Sequence, residues 1–332
     1  MSETPRQNPP GPSPWHAGEV ALQRRAGVAE RMEQIGRQVL RNHLNEQHRL
    51  FYPQLPFVAL GAVDAQGEAW ATLRAGQPGF LRAPDPSALH IALPRDPADP
   101  AETGMDDGQP LALLGIELHT RRRNRLNGSI RRGGGTGFDL LVQQSYGNCP
   151  RYIQLRDFSF ARDPAVATTQ PPVELPRLDA RARAMIAGAD TFFVATYASG
   201  ADGRRQVDVS HRGGKPGFVR IDADGALTIP DFNGNLFFNT LGNILATGRA
   251  GLVFVDFASG DLLQLSGGAE LLADPPELAA FEGAERLWRF TPRRVVHRAD
   301  ALPLRWSFRE GGWSPFVLAT GGWPAQEPRP GR

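Results

Sequence analysis

Phe192-Phe193-Val194-Ala195-Thr196, a turn at Gly200-Ala201-Asp202-Gly203, then Val207-Asp208-Val209-Ser210-His211-Arg212-Gly213-Gly214-Lys215-Pro216-Gly217-Phe218-Val219: this stretch decides how the chain is read. Two apolar runs around a tight turn read as antiparallel strands. A hairpin at Asp222-Ala223-Asp224-Gly225 follows, then residues 227–235, a helix over 236–246, and strands over 250–257 and 261–265. Short strands, tight turns and one helix predict a small six-stranded barrel. Ser210, His211, Arg212, Lys215 and several asparagines gather where the first half of that barrel turns. A barrel needs none of them; an anionic ligand ringed by polar groups would use them all.

The same pattern recurs upstream. Ala75-Gly76-Gln77-Pro78-Gly79-Phe80-Leu81-Arg82 shares its Pro-Gly-Phe-apolar-Arg core with residues 213–220, and Thr72 and Arg74 match Ser210 and Arg212. Phe57-Val58-Ala59 matches Phe193-Val194-Ala195 if the second copy has the longer turn. Residues 115–128 align without gaps on 254–267, which pairs Glu117 with Asp256, Leu126 with Leu265 and Gly128 with Gly267. An internal repeat of roughly 140 residues accounts for both matches. The copies differ where chemistry is expected: residues 84–110 read as a Pro/Asp/Gly-rich loop in place of the second copy's Asn-rich helix.

The predicted organisation is a disordered tail over 1–18, a first barrel over 19–160 with a leading helix, a linker over 161–176, a ligand-binding barrel over 177–322 and a fraying tail over 323–332. The helical region after residue 19 carries one apolar stripe, Val28, Met32, Ile35 and Val39. Residues 275–284 read as a helix, and 287–290 and 294–298 as two closing strands.

Composition bounds the function. The 332 residues have room for two domains, 41% of them are apolar, and the net charge of +2 argues against a general nucleic-acid binder. Lys215 is the only lysine among 37 basic residues, and Cys149 is the only cysteine, which excludes disulfide scaffolds and cysteine metal clusters within one chain. No apolar run reaches the roughly 20 residues of a membrane span, and residues 1–14 have no signal-peptide core. A soluble cytoplasmic protein with no membrane partner is expected. The histidines are scattered, so no metal site is expected, and no Gly-x-Gly-x-x-Gly opens a helix.

Residues 178–188, 192–196, 210–218, 239–243 and 251–257, with Arg-Asn-Arg-x-Asn-Gly at 123–128 and Gln-Ser-x-Gly-Asn-Cys-Pro at 144–150, resemble the pyridoxamine 5'-phosphate oxidase-like FMN-binding split barrels. The tandem flavin-nucleotide-binding branch is the most similar. The resemblance implies a mainly β (α+β) fold of tandem split barrels that form an intrachain pseudo-dimer, with FMN in the groove between them. Asn233-Gly234-Asn235 stands where true pyridoxamine phosphate oxidases carry a second basic cluster, and their C-terminal Arg motif is not recognisable in 293–298; both differences point away from vitamin B6 chemistry.

The candidate cofactor-binding residues are then Ser210, His211, Arg212 and Lys215 for phosphate; Asp231, Asn233, Asn235, Asn239 and Asn243 for phosphate and ring edge; and Gln264, Arg123, Arg125, Tyr146 and Asn148 from around the groove. Asn side chains offer both donor and acceptor to flavin carbonyls and ring nitrogens. On a strand Arg121, Arg123 and Arg125 would share one face. The expected function is an FMN-dependent oxidoreductase working on a small molecule by hydride or electron transfer, with no obligatory catalytic side chain. Its electron donor would be a nicotinamide or a separate reductase, and a homodimer is left open. The alternatives are a non-catalytic flavin- or haem-binding module, with His211 or His297 as haem ligand, and a ligand-free scaffold.

Overall fold

A computed structural model describes residues 13–200 and 203–324. In the first half, β1 (Phe57–Val63), β2 (Ala69–Ala75), β3 (Leu81–Arg82), β4 (Ala88–Ile91), β5 (Pro110–Glu117), β6 (Arg122–Arg131) and β7 (Phe138–Gly147) form one antiparallel sheet in the order β2-β1-β5-β6-β7-β4-β3. β8 (Arg156–Phe160) and β9 (Val173–Leu175) lead to the second half. There β10 (Thr191–Ser199), β11 (Arg205–Gly213), β12 (Arg220–Ile221), β13 (Leu227–Phe232), β14 (Arg249–Val255), β15 (Leu262–Leu271) and β16 (Ala284–Arg298) run β11-β10-β14-β15-β16-β13-β12. Strand for strand the two paths are the same. β9 adds to β16 from within the expected linker, and β17 (Leu304–Phe308) pairs with β8. Each repeat thus has seven strands where six were expected.

The repeat extends to its irregularities. The β6–β7 ladder slips between Asn127 and Gly128, and the β15–β16 ladder slips between Ser266 and Gly267. A Cβ on Gly128 would lie 1.9 Å from the Leu141 carbonyl oxygen, and one on Gly267 would lie 2.1 Å from that of Thr291. Only glycine lets the partner strand cross so closely at either bulge. Gly79 and Gly217, in the shared Pro-Gly-Phe turn, both take the left-handed conformation, at φ 96° and 85°. One expectation needs correction. Phe57 lies opposite Ala75 and Thr191 opposite Gly213, so Phe57 corresponds to Thr191 and not to Phe193. A slip of two residues leaves every side chain on its original face, and the alternation of apolar residues does not reveal it.

Each sheet curls around its own core. Leu60, Trp70, Leu81, Leu89, Leu113, Leu126 and Leu140, one from each strand of the first sheet, share one cluster. Phe192, Leu227, Leu252, Leu265 and Trp288 belong to the corresponding cluster of the second. A sheet that meets its own face is a barrel, and its end strands are not bonded to each other, so each barrel is split. The alternate residues build a third core between the barrels. Phe57, Ala59, Ala71, Leu73 and Leu114 pack there against Phe193, Ala195, Val207, Val209 and Val253. Two split barrels joined back to back by apolar faces form a pseudo-dimer within one chain.

The leading region is three helices, α1 (Ala17–Arg25), α2 (Ala29–Val39) and α3 (Glu46–Phe51), broken first at Gly27 with φ 68°. α4 (Ala180–Gly188) precedes the second barrel, α5 (Asn239–Thr247) packs on β10, and α6 (Pro315–Leu318) lies near the end. In the first barrel a 3-10 helix, Pro100–Gly104, packs on β1 in the place of α5. Residues 84–110 are therefore not a plain loop, since they also carry β4. Residues 275–284 hold only a 3-10 turn, Pro276–Ala280, and the two expected closing strands are the single strand β16.

The part of the expected N-terminal tail that is described is ordered: Trp15 is buried and its indole N–H donates to the Met32 carbonyl at 2.9 Å. Trp323 likewise packs on Phe281 and donates to the Phe218 carbonyl at 2.9 Å. Residues 1–12, Ala201, Asp202 and 325–332 lie outside the described residues.

Candidate functional site

β11 is the edge strand of the second sheet, and β6 of the first barrel crosses beside it. Between them lies a cleft of about 110 Å³ that opens to solvent. Arg123 and Arg125 come from β6, Asn148, Cys149, Arg151 and Tyr152 from the segment after β7, and Ser210, His211 and Arg212 from β11. Pro230, Asp231 and Phe232 of β13, residues 234–236 and Phe238 of the turn after it, the start of α5, and Glu285 and Arg286 of β16 add to the wall.

The deepest part is a buried polar cluster joining the two barrels. Arg125 is 4% exposed; its Nη1 lies 2.6 Å from Asp208 Oδ1, and its Nη2 donates to Ser210 Oγ at 2.5 Å. Arg125 Nη1 also donates to the Tyr146 hydroxyl and to Asn239 Oδ1, each at 2.9 Å. Ser210 Oγ donates to Asp208 Oδ2 at 3.1 Å and accepts from the Thr240 hydroxyl at 3.0 Å. Burial lowers the Arg125 pKa, but Asp208 and Tyr146 more than restore it, so the guanidinium stays charged. Burial raises the Asp208 pKa against the pull of Arg125.

α1 closes the cluster from behind. A Cβ on Gly18 would lie 2.2 Å from the Gly242 carbonyl oxygen, and one on Gly242 would lie 2.7 Å from the Glu19 nitrogen. Two glycines thus bring the α1 and α5 backbones into contact and place Glu19 Oε1 where it accepts from Asn239 Nδ2 at 2.5 Å. Burial lifts the Glu19 carboxyl to about 8, against the hydrogen bonds from the His16 N–H and Asn239. Nothing in the spacing of Glu19, more than 200 residues from Asn239, signals this contact.

Nearer the opening, Asp231 accepts from Arg212 Nη1 at 2.5 Å and from Arg286 Nη1 at 3.1 Å. Arg286 lies over the Phe238 ring, 4.7 Å from its centroid, and Tyr152 stacks on Phe232 at 5.3 Å. Arg123 differs from its neighbours. Its Nε donates to the Cys149 carbonyl at 2.7 Å, and it has no carboxylate partner among the described residues. Burial, and the positive charges of Arg125 and Arg212, lower its pKa. Five guanidinium groups (Arg123, Arg125, Arg151, Arg212 and Arg286) meet three carboxylates (Asp208, Asp231 and Glu285), an excess of two positive charges. Phe238 gives α5 no side-chain cap, and Asn239, Thr240 and Leu241 of its first turn line the cleft. Uncapped helix N–H groups favour an anion. The donor set therefore fits a phosphate dianion, and Phe238 and Tyr152 supply aromatic surface beside it.

The cleft brings together Ser210, His211, Arg212, Asp231, Asn235, Asn239, Arg123, Arg125 and Asn148 of the sequence candidates. His211 is on the opposite face of β11 from Ser210 and Arg212. Its ring is 5.6 Å from that of Phe193, both nitrogens lack partners among the described residues, and burial holds its pKa well below the ordinary value. Asn233 is at the rim, bonded to Arg151 and Glu285. Tyr146 is buried behind Arg125.

Three candidates are elsewhere. Lys215 donates to the Thr320 carbonyl, Asn243 donates to Thr196 Oγ1 at 3.0 Å, and Gln264 binds Asp99 and the Ala71 carbonyl in the first barrel's counterpart of the cleft. Arg121 does not share a face with Arg123: it precedes β6 at φ 62° and donates to the Ile153, Gly312 and Trp313 carbonyls. Tyr152, read from the sequence as a possible flavin wall, does line the cleft, whereas Asp208, Thr240 and Glu19 were not singled out as ligand residues. His297, the other haem-ligand candidate, is 3.0 Å from Asp261 Oδ2. Among the described residues no group of three or more His, Cys, Asp or Glu side chains could hold a metal, and no helix is long and apolar enough to cross a membrane.

No family model and no curated protein sequence matches this chain. Among solved structures it is similar to a Clostridium acetobutylicum protein of the pyridoxinephosphate oxidase family, related to general stress protein 26 of B. subtilis (13% identity, 40% of this chain and 95% of that one, TM-score 0.25). It is also similar to an FAD-binding protein of Mesorhizobium loti (15%, 39% and 97%, TM-score 0.26) and to the heme storage protein HutZ of Vibrio cholerae (13%, 37% and 95%, TM-score 0.26). The tandem split barrel itself is established by the repeated strand order, register and bulges of this chain.

Proposed function

We propose that the chain is an FMN-binding flavoprotein and an FMN-dependent oxidoreductase for a small molecule. The observation that carries this reading is the excess of two positive charges in the cleft, with Arg123 lacking a carboxylate and the first turn of α5 uncapped. A buried phosphate dianion needs such compensation, because charge without partners is prohibitively costly there. Arg123, Arg212 and the α5 N-terminus would hold the phosphate, Asn148 and Asn235 would bond the ring edge, and Phe238 and Tyr152 would cover a ring face. Asp231 fixes Arg212 and Arg286, and the Arg125–Asp208–Ser210 cluster keeps the two barrels in register behind the ligand. A bound flavin would itself supply the hydride chemistry; the chain supplies binding, orientation and exclusion of water. The small-molecule substrate and the electron donor would enter at the open side, past Arg151 and Arg286.

The test is the absorption spectrum and mass of the purified protein, followed by fluorescence titration with FMN and with riboflavin. One equivalent of FMN bound more tightly than riboflavin supports the reading. A Soret band, or a colourless protein that binds neither flavin, would overturn it.

A further inference from the structure

The pseudo-twofold relation gives the cleft a counterpart in the first barrel. There β2 is the edge strand and β15 crosses beside it. Matched through the registers above, Thr72 stands for Ser210, Arg74 for Arg212 and Gln264 for Arg125. The wall is again rich in arginine, with Arg74, Arg95, Arg132 and Arg298, but the space is filled by the chain itself. Asp99 Oδ2 accepts from the Thr72 hydroxyl at 2.5 Å and lies 3.1 Å from Arg298 Nη1, and Asp99 Oδ1 accepts from Gln264 Nε2 at 2.9 Å. Glu102 accepts from Arg74 Nη1 and from Arg132 Nη2, each at 3.1 Å, and lies 3.6 Å from Arg95. Thr72, Asp99, Gln264 and Arg298 are each no more than 4% exposed, and Arg298 Nε has no hydrogen-bond partner among the described residues.

We infer that Asp99 and Glu102 are a tethered anion that occupies a second anion site, and that removing the two carboxylates opens this site to inorganic phosphate or a phosphomonoester. Two carboxylates meet the donors that a doubly charged phosphate would meet, and both arrive on one segment, residues 96–104, that stands where the second copy has α5. Without them Asp96, beside Arg298, is the one carboxylate left to Arg74, Arg132 and Arg298 among the described residues; Arg74 keeps the Pro94 carbonyl and Arg132 that of Met105, and the guanidinium donors so freed bind a small anion that can reach them.

The experiment is calorimetric titration of inorganic phosphate into the full chain, wild type and D99A/E102A, at constant ionic strength. The double variant should bind one phosphate more than wild type, and adding R123A to it should leave that extra site in place. A folded D99A/E102A with the wild-type number of phosphate sites would overturn the inference. If D99A/E102A is unfolded, phosphate but not chloride at equal ionic strength should restore its circular dichroism; no restoration overturns the inference. Glu102→Ala alone, at the outer end of the site, should give a weaker extra site with the fold intact. No flavin enters this experiment, so its failure and the failure of the flavin reading are separate results.

Discussion

Arg123→Ala separates a phosphate contact from a structural one. Among the described residues the Arg123 side chain makes one hydrogen bond, to the Cys149 carbonyl, and it stands against Arg125 and Arg212. Losing that bond costs about 1 kcal/mol, and relief of like-charge repulsion offsets part of it. The melting temperature should therefore change by no more than about 3 °C. Toward FMN the loss is larger. A charged hydrogen bond contributes about 1.5–3 kcal/mol, so Kd for FMN should rise about 10- to 100-fold. Riboflavin, which has no phosphate, should lose less than about threefold. The assay is a pair of fluorescence titrations beside a thermal melt. Equal weakening of FMN and riboflavin, or a melt lowered by 10 °C or more, roughly 3 kcal/mol on this scale, would refute the assignment and make Arg123 a structural residue.

Asp231→Asn, which releases Arg212 and Arg286 from their shared carboxylate, should tighten FMN binding by up to about tenfold and leave riboflavin unchanged in the same titrations. Asp208→Ala strands Arg125 in the deepest part of the cleft and should cost about 3–5 kcal/mol in urea unfolding, with the barrel contact weakened. Glu19 carries a pKa of about 8 in the fold against 4.5 as its reference, so its contribution is present below pH 4.5 and lost as pH rises from there to about 8; Glu19→Gln should flatten this fall in melting temperature between pH 5 and 8. Gly128→Ala and Gly267→Ala should each cost about 3 kcal/mol or more, since either methyl would meet a carbonyl oxygen at 2.1 Å or less; a mild effect at one of them would mean that the two bulges are not equivalent.

Much of this architecture was legible in local patterns. The Pro-Gly-Phe turns and the matched glycines at 128 and 267 mark the repeat because each meets a backbone demand that no other residue satisfies. The β10 register was not legible, because a two-residue slip preserves alternation. Among the site residues, the basic and asparagine motifs pointed to the cleft, and the partners that decide their state did not appear. Arg125 and Asp208 lie in different barrels, and Glu19 reaches Asn239 only because two glycines let α1 touch α5. Lys215 misled because its polar loop gave no hint of the C-terminal segment, whose Thr320 carbonyl holds the ammonium group. Arg121 misled because a positive φ removes it from the strand its neighbours form.

The third core, where the outer faces of the two barrels meet, also bears on how such a site can change. In a symmetric dimer of identical chains every substitution is made twice, once in each of two equivalent clefts. Here the same kind of interface joins two different segments of one chain, so each position varies alone. An acid can fill one cleft while its counterpart stays basic, and an arginine such as Arg125 can serve one side while a glutamine serves the other. A covalent join that frees the two halves from having to be the same is the condition under which one barrel can become the fixed wall of a site held by the other.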